Sequence, residues 1–367
     1  MKRILCLIAL AITFTSYSQE IKYCGQTEQT QKLFERFHGL ERDAEDAAEL
    51  LDLEEQQFGE RGGDEVLIIP IVFHIIHEGG VENISDDQVY DAVRILNRDM
   101  RKQNPDTLNI MDEFVDLAAD VQIEFRLAQR DPEGNCTKGI NRIQSSLTNE
   151  GGSDMKELIF WPRDMYMNVW VCKDAGGAAG YTFLPGTVNN WWMADQDGIV
   201  LLHSYTGSIG TSSVNRSRTL THEVGHWLNL PHTWGGTNNP GVASNCNDDD
   251  GVDDTPQTVG WTTCSNNPVS CGSLDNVENY MEYSYCSKMF TQGQRSRMRN
   301  AAFSGVADRN QLWTAQNLAA TGVSEPAILC QADFTVDRTV VCADENILFD
   351  DLTFNGVTEW TWDFGDG

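Results

Sequence analysis

Residues 222–232 read His-Glu-Val-Gly-His-Trp-Leu-Asn-Leu-Pro-His, a string with histidines at fixed spacing. On a helix, His222 and His226 project from one face, where both imidazoles can hold a single zinc ion. His232 supplies a further nitrogen and leaves a fourth coordination position open, as in catalytic rather than structural zinc sites. Glu223 lies beside the metal, where its carboxylate can accept a proton from a water whose pKa zinc lowers to about 7.

The turn that leads to His232 fits the same interpretation. To leave the helix and return toward the metal, the chain needs a residue with positive φ, which glycine adopts without steric cost. Asn229 holds this position, and asparagine is the usual substitute in the left-handed region. Pro231 prevents the helix from continuing. A lone HExxH string can arise by chance in a surface helix, so the added histidine is what favours a zinc site.

A second motif follows about fifty residues downstream, where residues 279–283 read Asn-Tyr-Met-Glu-Tyr. The string HExxHxxGxxH followed by a Met-turn is the metzincin signature. The chain therefore resembles the pappalysin family of metzincin zinc peptidases, which includes ulilysin-like bacterial enzymes. The resemblance extends over roughly residues 20–322. Within it, residues 69–77 are similar to the family's first strand, residues 197–206 to its substrate-side edge strand, and residues 279–294 to its Met-turn and final helix start.

The resemblance implies an α/β (α+β) metzincin zincin fold, with a mixed twisted sheet, backing and active-site helices, and a loop-rich C-terminal subdomain. It implies that Met281 forms an apolar floor beneath the zinc, although alone it could be an ordinary core methionine. It also implies that the Tyr283 phenol donates a hydrogen bond to the reaction's oxyanion; the alternative is a buried aromatic with a satisfied hydroxyl.

The chain departs from the family at two positions. Asn229 stands where the family has glycine, which bears on the placement of His232. Residues 284–286, Ser-Tyr-Cys, follow the Met-turn tyrosine, where relatives that prefer a basic residue after the scissile bond carry an acidic group. Basic specificity therefore cannot be carried over to this chain.

Composition indicates an exported, acidic protein. The chain has 367 residues, 40% of them hydrophobic, and a formal net charge of -29, which allows roughly two to three domains. So acidic a surface disfavours nucleic acid and membrane partners, and we expect a monomer that acts on proteins or peptides. Residues 1–19 combine Lys2, Arg3 and an apolar run, as in a secretory signal peptide. We therefore expect a secreted or extracellular protein, free or attached to the cell surface.

The ten cysteines agree with export, because disulfides persist in oxidising compartments. The family resemblance suggests two pairs that would staple the loop-rich subdomain: Cys246–Cys271 and Cys264–Cys286. Elimination then leaves two further pairs, Cys136–Cys172 and Cys330–Cys342.

Residues 20–62 form a separate acidic segment, expected to be a propeptide. Apolar residues recur in it at helical spacing, among them Leu33 and Phe37. A thiolate is an excellent fourth zinc ligand, and Cys24 resembles the prosegment cysteine of the pappalysin relatives that keeps the enzyme latent. The alternative is an unpaired cysteine in a short exported leader. Cleavage near residues 61–63, Arg-Gly-Gly, would release the active form.

Residues 63–322 are expected to form the catalytic domain, divided into residues 63–233 and 234–322. Alternation and helical periodicity predict strands at residues 66–77, 123–129, 167–172 and 198–203, and helices at 86–102 and 219–228. A capping box at residues 291–294 opens a last helix that runs to about Ala302. His74, His77 and His203 lie in or beside strands and are interpreted as structural or rim residues.

Carboxylates are concentrated in residues 245–256, at a spacing that is repulsive in a solvated loop. Calcium takes six to eight oxygen ligands from such groups. The similar family segment, which ends in Asp-Thr-Pro, binds calcium, so the candidate ligands are Asp250, Asp254 and Thr255. The alternative is a merely acidic loop.

The C-terminal residues 328–367 are strand-like, at 332–336, 346–349 and 359–367. The last string, Glu-Trp-Thr-Trp-Asp-Phe-Gly-Asp-Gly, resembles the signature of polycystic-kidney-disease (PKD) repeats, which are immunoglobulin-like β-sandwiches. Only about forty residues are present, so a partial sandwich is expected.

These observations predict a secreted, calcium-stabilised zinc endopeptidase that is made as a latent zymogen. The substrate peptide is expected to bind antiparallel to an edge strand near residues 198–206. The rival hypothesis is a catalytically silent surface adhesin or protein-binding module that retains the fold. The intact Glu223 argues against this rival, because a retired site has no need of a base.

Overall fold

The computed structural model describes residues 21–59, 61–324, 334–342, 345–351, 359 and 361–363. The predicted signal peptide lies outside these residues. The helices are α1 Gln26–Arg36, α2 Leu40–Phe58, α3 Asp86–Met100, α4 Ser153–Lys156, α5 Thr219–Trp227, α6 Gln292–Phe303 and α7 Ala315–Ala320. The strands are β1 Leu67–His77, β2 Ile123–Leu127, β3 Ile140–Gln144, β4 Met167–Cys172, β5 Gly180–Tyr181, β6 Ile199–Leu202, β7 Val269–Ser270, β8 Ser273–Leu274, β9 Phe334–Val336 and β10 Phe349–Asp351. None of the described helices combines the length and apolarity that a membrane span requires.

A mixed sheet forms the frame of the described chain. Its strand order is β2-β1-β4-β6-β5, and β3 pairs with β1 beyond the end of β2. The strands run parallel except β5, which is antiparallel to β6. β1 is an almost continuous apolar run because both faces of this strand are covered. Its alternate residues enter two cores, with Phe73 on the side of α3 and α5 and Ile76 on the other side.

The expectation of an edge strand at residues 197–206 is wrong. Within the described residues, β6 lies between β4 and β5 and is hydrogen-bonded on both sides, and β5 is the outermost strand. β5 contains only Gly180 and Tyr181, and a two-residue strand is too short to show alternation in a sequence. Among the described strands, β5 rather than β6 therefore forms this edge of the sheet.

The helix over the zinc motif is confirmed, and it packs beneath the sheet as predicted. Val224, Trp227 and Leu228 share the large apolar core with β1 and β4. Two further helix starts are also confirmed. Ser85 caps α3 by accepting a hydrogen bond from the Gln88 amide at 3.3 Å, and Thr291 with Gln294 forms the predicted capping box of α6.

A buried ion pair anchors the C-terminal end of α5. Arg309 donates to both carboxylate oxygens of Asp197, at 2.6 and 2.8 Å, and the Trp227 indole donates to Asp197 at 2.9 Å. The guanidinium also lies 3.8 Å from the centre of the Trp227 ring. Ala307 and Asp308, just before the arginine, both adopt left-handed backbone with φ of 52° and 59°. These contacts fix the C-terminal end of α5 to Asp197, two residues before β6.

The disulfide predictions are half right. Cys246–Cys271 and Cys264–Cys286 are present, as the resemblance implied. The two pairs obtained by elimination are wrong, because the thiols of Cys172 and Cys342 are free.

The sheet explains the first of these errors. Cys172 ends β4 with its side chain in the core, whereas Cys136 lies on the far side of β1, near β2 and β3. Cys136 is itself disulfide-bonded, but not to Cys172. Cys330 lies outside the described residues.

Two short strands belong to the C-terminal segment. β9 and β10 pair antiparallel, and the Trp362 ring lies 5.2 Å from the rings of Phe334 and Phe349. Most of the string at residues 359–367 lies outside the described residues. The PKD repeat and its partial β-sandwich therefore stay predictions.

Candidate metal centre

α5 and the turn after it bring three imidazole rings to one point. The Nδ1 atom of His222 lies 2.7 Å from the Tyr280 carbonyl oxygen, and that of His226 lies 2.6 Å from the Leu230 carbonyl oxygen. A ring nitrogen next to a carbonyl carries the proton, so the Nε2 atom of each ring is left as an acceptor. His232 completes the cluster, with its Nε2 atom 3.2 Å from Nε2 of His226.

The turn to His232 has the predicted conformation. Asn229 adopts φ of 74°, which confirms the left-handed position. Arg297 donates to the Asn229 carbonyl oxygen at 3.0 Å and so holds the turn against α6. The His232 ring is stacked on Trp234, with centroids 4.4 Å apart and planes 4° from parallel. The asparagine departure therefore leaves the third histidine in place.

Glu223 lies beside these rings and is completely buried. Neither of its carboxylate oxygens makes a hydrogen bond of good geometry among the described residues, although the Cys24 thiol and the Thr182 amide lie close enough to lower its pKa. Nε2 of His222 likewise has no partner among these residues. Burial raises the pKa of Glu223 to about 8. A buried polar atom without a partner is costly, so these atoms indicate a site built for a group that binds between them.

The donor set fits a zinc ion. Zinc binds imidazole nitrogens at 2.0–2.1 Å in tetrahedral geometry, which puts the nitrogens about 3.3 Å apart. The separation of 3.2 Å between His226 and His232 agrees with this value. Burial lowers the pKa of His222 and His232 and lowers that of His226 to about 4. The rings are therefore neutral, which is the form that binds metal.

The Cys24 thiol completes the cluster. Its Sγ atom and one nitrogen of each histidine all lie within 4.8 Å of one another, and all four residues are buried. The Gln26 amide donates to this sulfur at 3.4 Å, and the Asn238 side chain donates to the Cys24 carbonyl oxygen at 2.9 Å. The structure therefore brings the predicted latency cysteine to the predicted zinc ligands.

The segment around Cys24 lies along β5. Lys22 donates its amide to Gly177 at 3.1 Å and accepts from the Ala179 amide at 2.8 Å, and Gly25 donates to Gly180 at 2.9 Å. The bridge between Lys22 and Ala178 is parallel. This segment therefore occupies the outer side of the sheet, in the same direction as β5.

The helices of the acidic segment cover the surface next to the centre. Leu33 of α1 packs with Tyr181 and Phe183, and Ala47 and Leu51 of α2 form a cluster with Ala301 and Val306. The predicted amphipathic pattern is thus used to dock the segment onto the rest of the chain.

The Met-turn packs directly against α5. Met281 is fully buried, and a Cβ atom added to Gly225 would lie 2.4 Å from the Met281 sulfur. Gly225 is therefore required for this close approach, a role that the sequence motif alone did not reveal. The structure places the methionine sulfur against α5, and its role as an apolar floor beneath a zinc ion stays a prediction.

Two further residues of the Met-turn hold the surrounding loops. The Tyr283 hydroxyl lies 3.1 Å from Nε2 of His232 and donates to the Asn238 side chain. Glu282 accepts hydrogen bonds from the Thr233 hydroxyl at 2.6 Å and the Trp261 amide at 2.7 Å. Glu282 thereby joins the histidine turn to the disulfide-bonded loop. Sequence reasoning missed it, because an acidic residue in a loop carries no pattern.

The acidic loop places its candidate ligands near the start of α6. One oxygen of Asp250 accepts from Thr255 at 2.7 Å, whereas the other is buried without a partner among the described residues. Burial raises the pKa of Asp250 to about 7. Asp254 accepts from the Gly293 amide at 2.9 Å and from the Thr291 hydroxyl at 2.6 Å. The Asp254 carboxylate therefore already accepts hydrogen bonds from the N-terminal end of α6.

The remaining strand histidines do not join the centre. Nε2 of His74 lies 2.9 Å from the Asn168 side-chain oxygen, and Nδ1 accepts from the Asn141 amide at 3.2 Å. In the described part of the chain, the cluster of potential metal ligands contains neither His77 nor His203. Their interpretation as structural or rim residues agrees with these positions.

Known proteins share this architecture. The peptidase M43 family model, described as pregnancy-associated plasma protein-A, matches residues 151–302. An extracellular metalloprotease of Uncinocarpus reesii is 36% identical over 237 residues, which are 62% of this chain and 73% of that protein. An extracellular metalloprotease of Neurospora crassa is 38% identical over 142 residues, 36% of this chain. The match spans about half, 46%, of the Neurospora protein's length.

Two solved structures from Tannerella forsythia are also similar. A mutant of promirolysin superposes with a TM-score of 0.67 at 30% identity, over 80% of this chain and 97% of that one. Mature mirolysin in complex with a cleaved peptide superposes with a TM-score of 0.62 at 32% identity, over 70% and 98% of the two chains.

Proposed function

Because the chain belongs to the peptidase M43 family, described as pregnancy-associated plasma protein-A, we propose that it is a secreted zinc-dependent endopeptidase that hydrolyses peptide bonds in proteins. The observation that carries the proposal is the convergence of three neutral imidazoles beside the buried, unpartnered Glu223 carboxylate. The names of the relatives, extracellular metalloproteases, support the export and the activity. The mirolysin structure that contains a cleaved peptide supports a peptide substrate.

His222, His226 and His232 would hold the metal. Bound zinc supplies Lewis acidity, which polarises a carbonyl and lowers the pKa of a water molecule to about 7. Glu223 accepts a proton from the water while the water oxygen attacks the peptide carbonyl carbon. Glu223 then delivers this proton to the amine that leaves when the C–N bond breaks. The Tyr283 hydroxyl donates a hydrogen bond to the oxyanion. The substrate peptide lies antiparallel to β5, which is the edge strand that the sequence predicted at residues 197–206.

The segment over residues 20–62 acts as a propeptide in this proposal. Its Cys24 thiol reaches the three zinc ligands, and its backbone pairs with the sheet edge that the substrate needs. Metal and edge are thus both blocked until the segment leaves. A cut near residues 61–63 separates the helices of the segment from β1, as the expected processing point requires.

A structural calcium ion near Asp250 forms part of the proposal. Its support is the buried, unpartnered Asp250 oxygen in a loop rich in carboxylates, with Asp254 and Thr255 adjacent. Binding at 100 times the dissociation constant stabilises a protein by about 2.7 kcal/mol, so calcium should raise the unfolding temperature. Asp250→Asn should abolish this increase. An unfolding temperature that is independent of calcium would support the acidic-loop alternative.

The proposed activity is tested by casein cleavage after removal of residues 20–62. Glu223→Ala should bind one equivalent of zinc and lower the cleavage rate by about 10²–10⁴-fold, because only the proton transfer is lost. Glu113→Ala, an exposed carboxylate of the same domain, is the matched control and should cleave normally. A zinc chelator should abolish cleavage by the unchanged protein. If the trimmed protein binds zinc but cleaves nothing, the adhesin hypothesis is favoured instead.

A further inference from the structure

An aromatic side chain of the propeptide occupies a recess next to the metal centre. The Tyr23 ring lies edge-on to His222 at a centroid distance of 5.3 Å and tilted against Tyr283 at 4.8 Å. The recess opens into a cavity of about 430 Å³ whose other walls include Thr262 and Tyr285. Tyr23 therefore fills the inner part of a cleft that is larger than its own ring.

The direction of the propeptide shows which substrate residue would use this recess. The propeptide runs parallel to β5, with Lys22 beside Ala178 and Gly25 beside Gly180. A substrate that runs antiparallel to β5 proceeds in the opposite direction. If its scissile carbonyl takes the position of the Cys24 sulfur, the residue after the scissile bond enters the recess that Tyr23 holds. This step rests on the proposed function.

The chemistry of the recess suits an uncharged ring. Aromatic pairs are favourable at centroid separations of 4.5–7 Å when the rings are tilted or edge-to-face, which is how Tyr23 meets His222 and Tyr283. Among the described residues that line the cavity there is no carboxylate; apart from propeptide residues they are Asn238, Asn239, Pro240, Thr262, Tyr283 and Tyr285. A buried cation without a partner is costly. The walls of this cavity therefore lack the carboxylate that a lysine or arginine would need; the Glu223 carboxylate, which acts on Tyr23 from the side of the metal centre, is the proposed base.

Tyr285 is the wall residue that a substitution can test. It lines the same cavity as Tyr23, and 61% of it is exposed, so its replacement does not disturb the core. It also lies within residues 284–286. In this string, relatives that prefer a basic residue after the scissile bond carry an acidic group, which this chain lacks.

We propose that the mature peptidase selects an aromatic side chain in the residue after the scissile bond, that Tyr23 occupies this subsite in the zymogen, and that Tyr285 is a specificity-determining residue. The proposal deepens the proposed function by naming the class of substrate.

The first experiment is a cleavage profile. The protein without residues 20–62 is given a peptide library in which the residue after the scissile bond varies. We expect kcat/KM for tyrosine and phenylalanine to exceed that for lysine and arginine by about tenfold or more, since about 1.4 kcal/mol corresponds to tenfold. Cleavage with an even or a basic profile would overturn this inference and leave the peptidase proposal standing. No cleavage of the library or of casein would overturn both.

The second experiment changes the wall. Tyr285→Glu should lower the ratio of aromatic to basic cleavage about tenfold, because it introduces the carboxylate that the recess lacks. Tyr285→Phe should retain the aromatic preference. Tyr90→Glu, on the exposed face of α3, is the matched charge control and should leave the profile unchanged. If Tyr285→Glu keeps the preference of the unchanged enzyme, the assignment of Tyr285 is wrong.

Discussion

The Tyr283 hydroxyl gives the sharpest test at the scale of single residues. It lies 3.1 Å from Nε2 of His232 and donates its hydrogen to the Asn238 side chain. On the proposed function, this hydrogen turns from Asn238 to the substrate oxygen on which charge develops. Tyr283→Phe removes one donor and keeps the ring, and we expect kcat to fall about 10²-fold with KM nearly unchanged. Steady-state kinetics of the mature protein measures this. An unchanged kcat would identify Tyr283 as an ordinary buried aromatic.

His74 predicts a pH dependence of stability. Burial lowers the pKa of His74 to about 4, whereas an unfolded histidine titrates near 6.5. Between these values the unfolded chain binds the proton and the folded chain does not. The free energy of unfolding therefore decreases as the pH falls from 6.5 to 4, by up to about 3 kcal/mol.

Denaturant unfolding at several pH values of the full chain checks this contribution. His74→Gln should show a shallower decrease over that range, and His222, His226 and His232 affect both proteins alike. The exposed His38→Gln is the matched control and should follow the unchanged protein. Equal slopes for His74→Gln and the unchanged protein would show that His74 does not supply this pH dependence.

Individual residues of the site differ in how far the sequence reveals them. His222, Glu223 and His226 were predictable because helical spacing alone puts them together. Asn229 was predictable because only a few residue types adopt positive φ. Glu282 was not, because its two hydrogen bonds join segments whose proximity depends on the folded loops.

At the scale of elements, the contact between α5 and the Met-turn is so close that adding one methyl group should destabilise the protein. A Cβ atom at Gly225 would lie 2.4 Å from the Met281 sulfur, so one side must move. We expect Gly225→Ala to lower the free energy of unfolding by about 1–3 kcal/mol, as overpacking does. The double variant Gly225→Ala with Met281→Ala should lose less free energy of unfolding than the two single variants lose in sum. Additive losses in denaturant unfolding would contradict the contact.

The elements that the sequence predicted well are the long ones. β1 is a long apolar run, α3 and α6 have side-chain caps, and α5 carries the histidine motif. The bounds of these four elements differ from expectation by one or two residues. β5 and β3 were missed because the first has two residues and the second has largely half-buried or exposed side chains. Missing β5 moved the expected substrate edge one strand inward. Cysteine pairing failed where it relied on elimination, because sheet order decides which cysteines can meet.

At the scale of the whole molecule, the docking of residues 21–59 beside the candidate metal centre predicts latency. Cys24 lies beside His222, His226 and His232, and the segment around it covers β5. In the unprocessed chain, Cys24→Ala should raise casein cleavage about tenfold or more, because the metal then becomes accessible. Cys342→Ala, which removes an exposed free thiol, is the matched control and should change nothing. An unchanged rate for Cys24→Ala would leave Cys24 as an unpaired cysteine without a regulatory role.

The parallel course of residues 22–25 along β5 has a consequence for activation. A chain laid backwards in the cleft offers its amide and carbonyl groups in reversed order, so the hydrolytic groups meet no bond that they can cut. If residues 20–62 act as the proposed propeptide, each precursor molecule is thus protected from cutting its own propeptide. On the proposed function, the cut near residues 61–63 is then made by a second molecule, and its rate should increase with the concentration of already mature enzyme or of another protease.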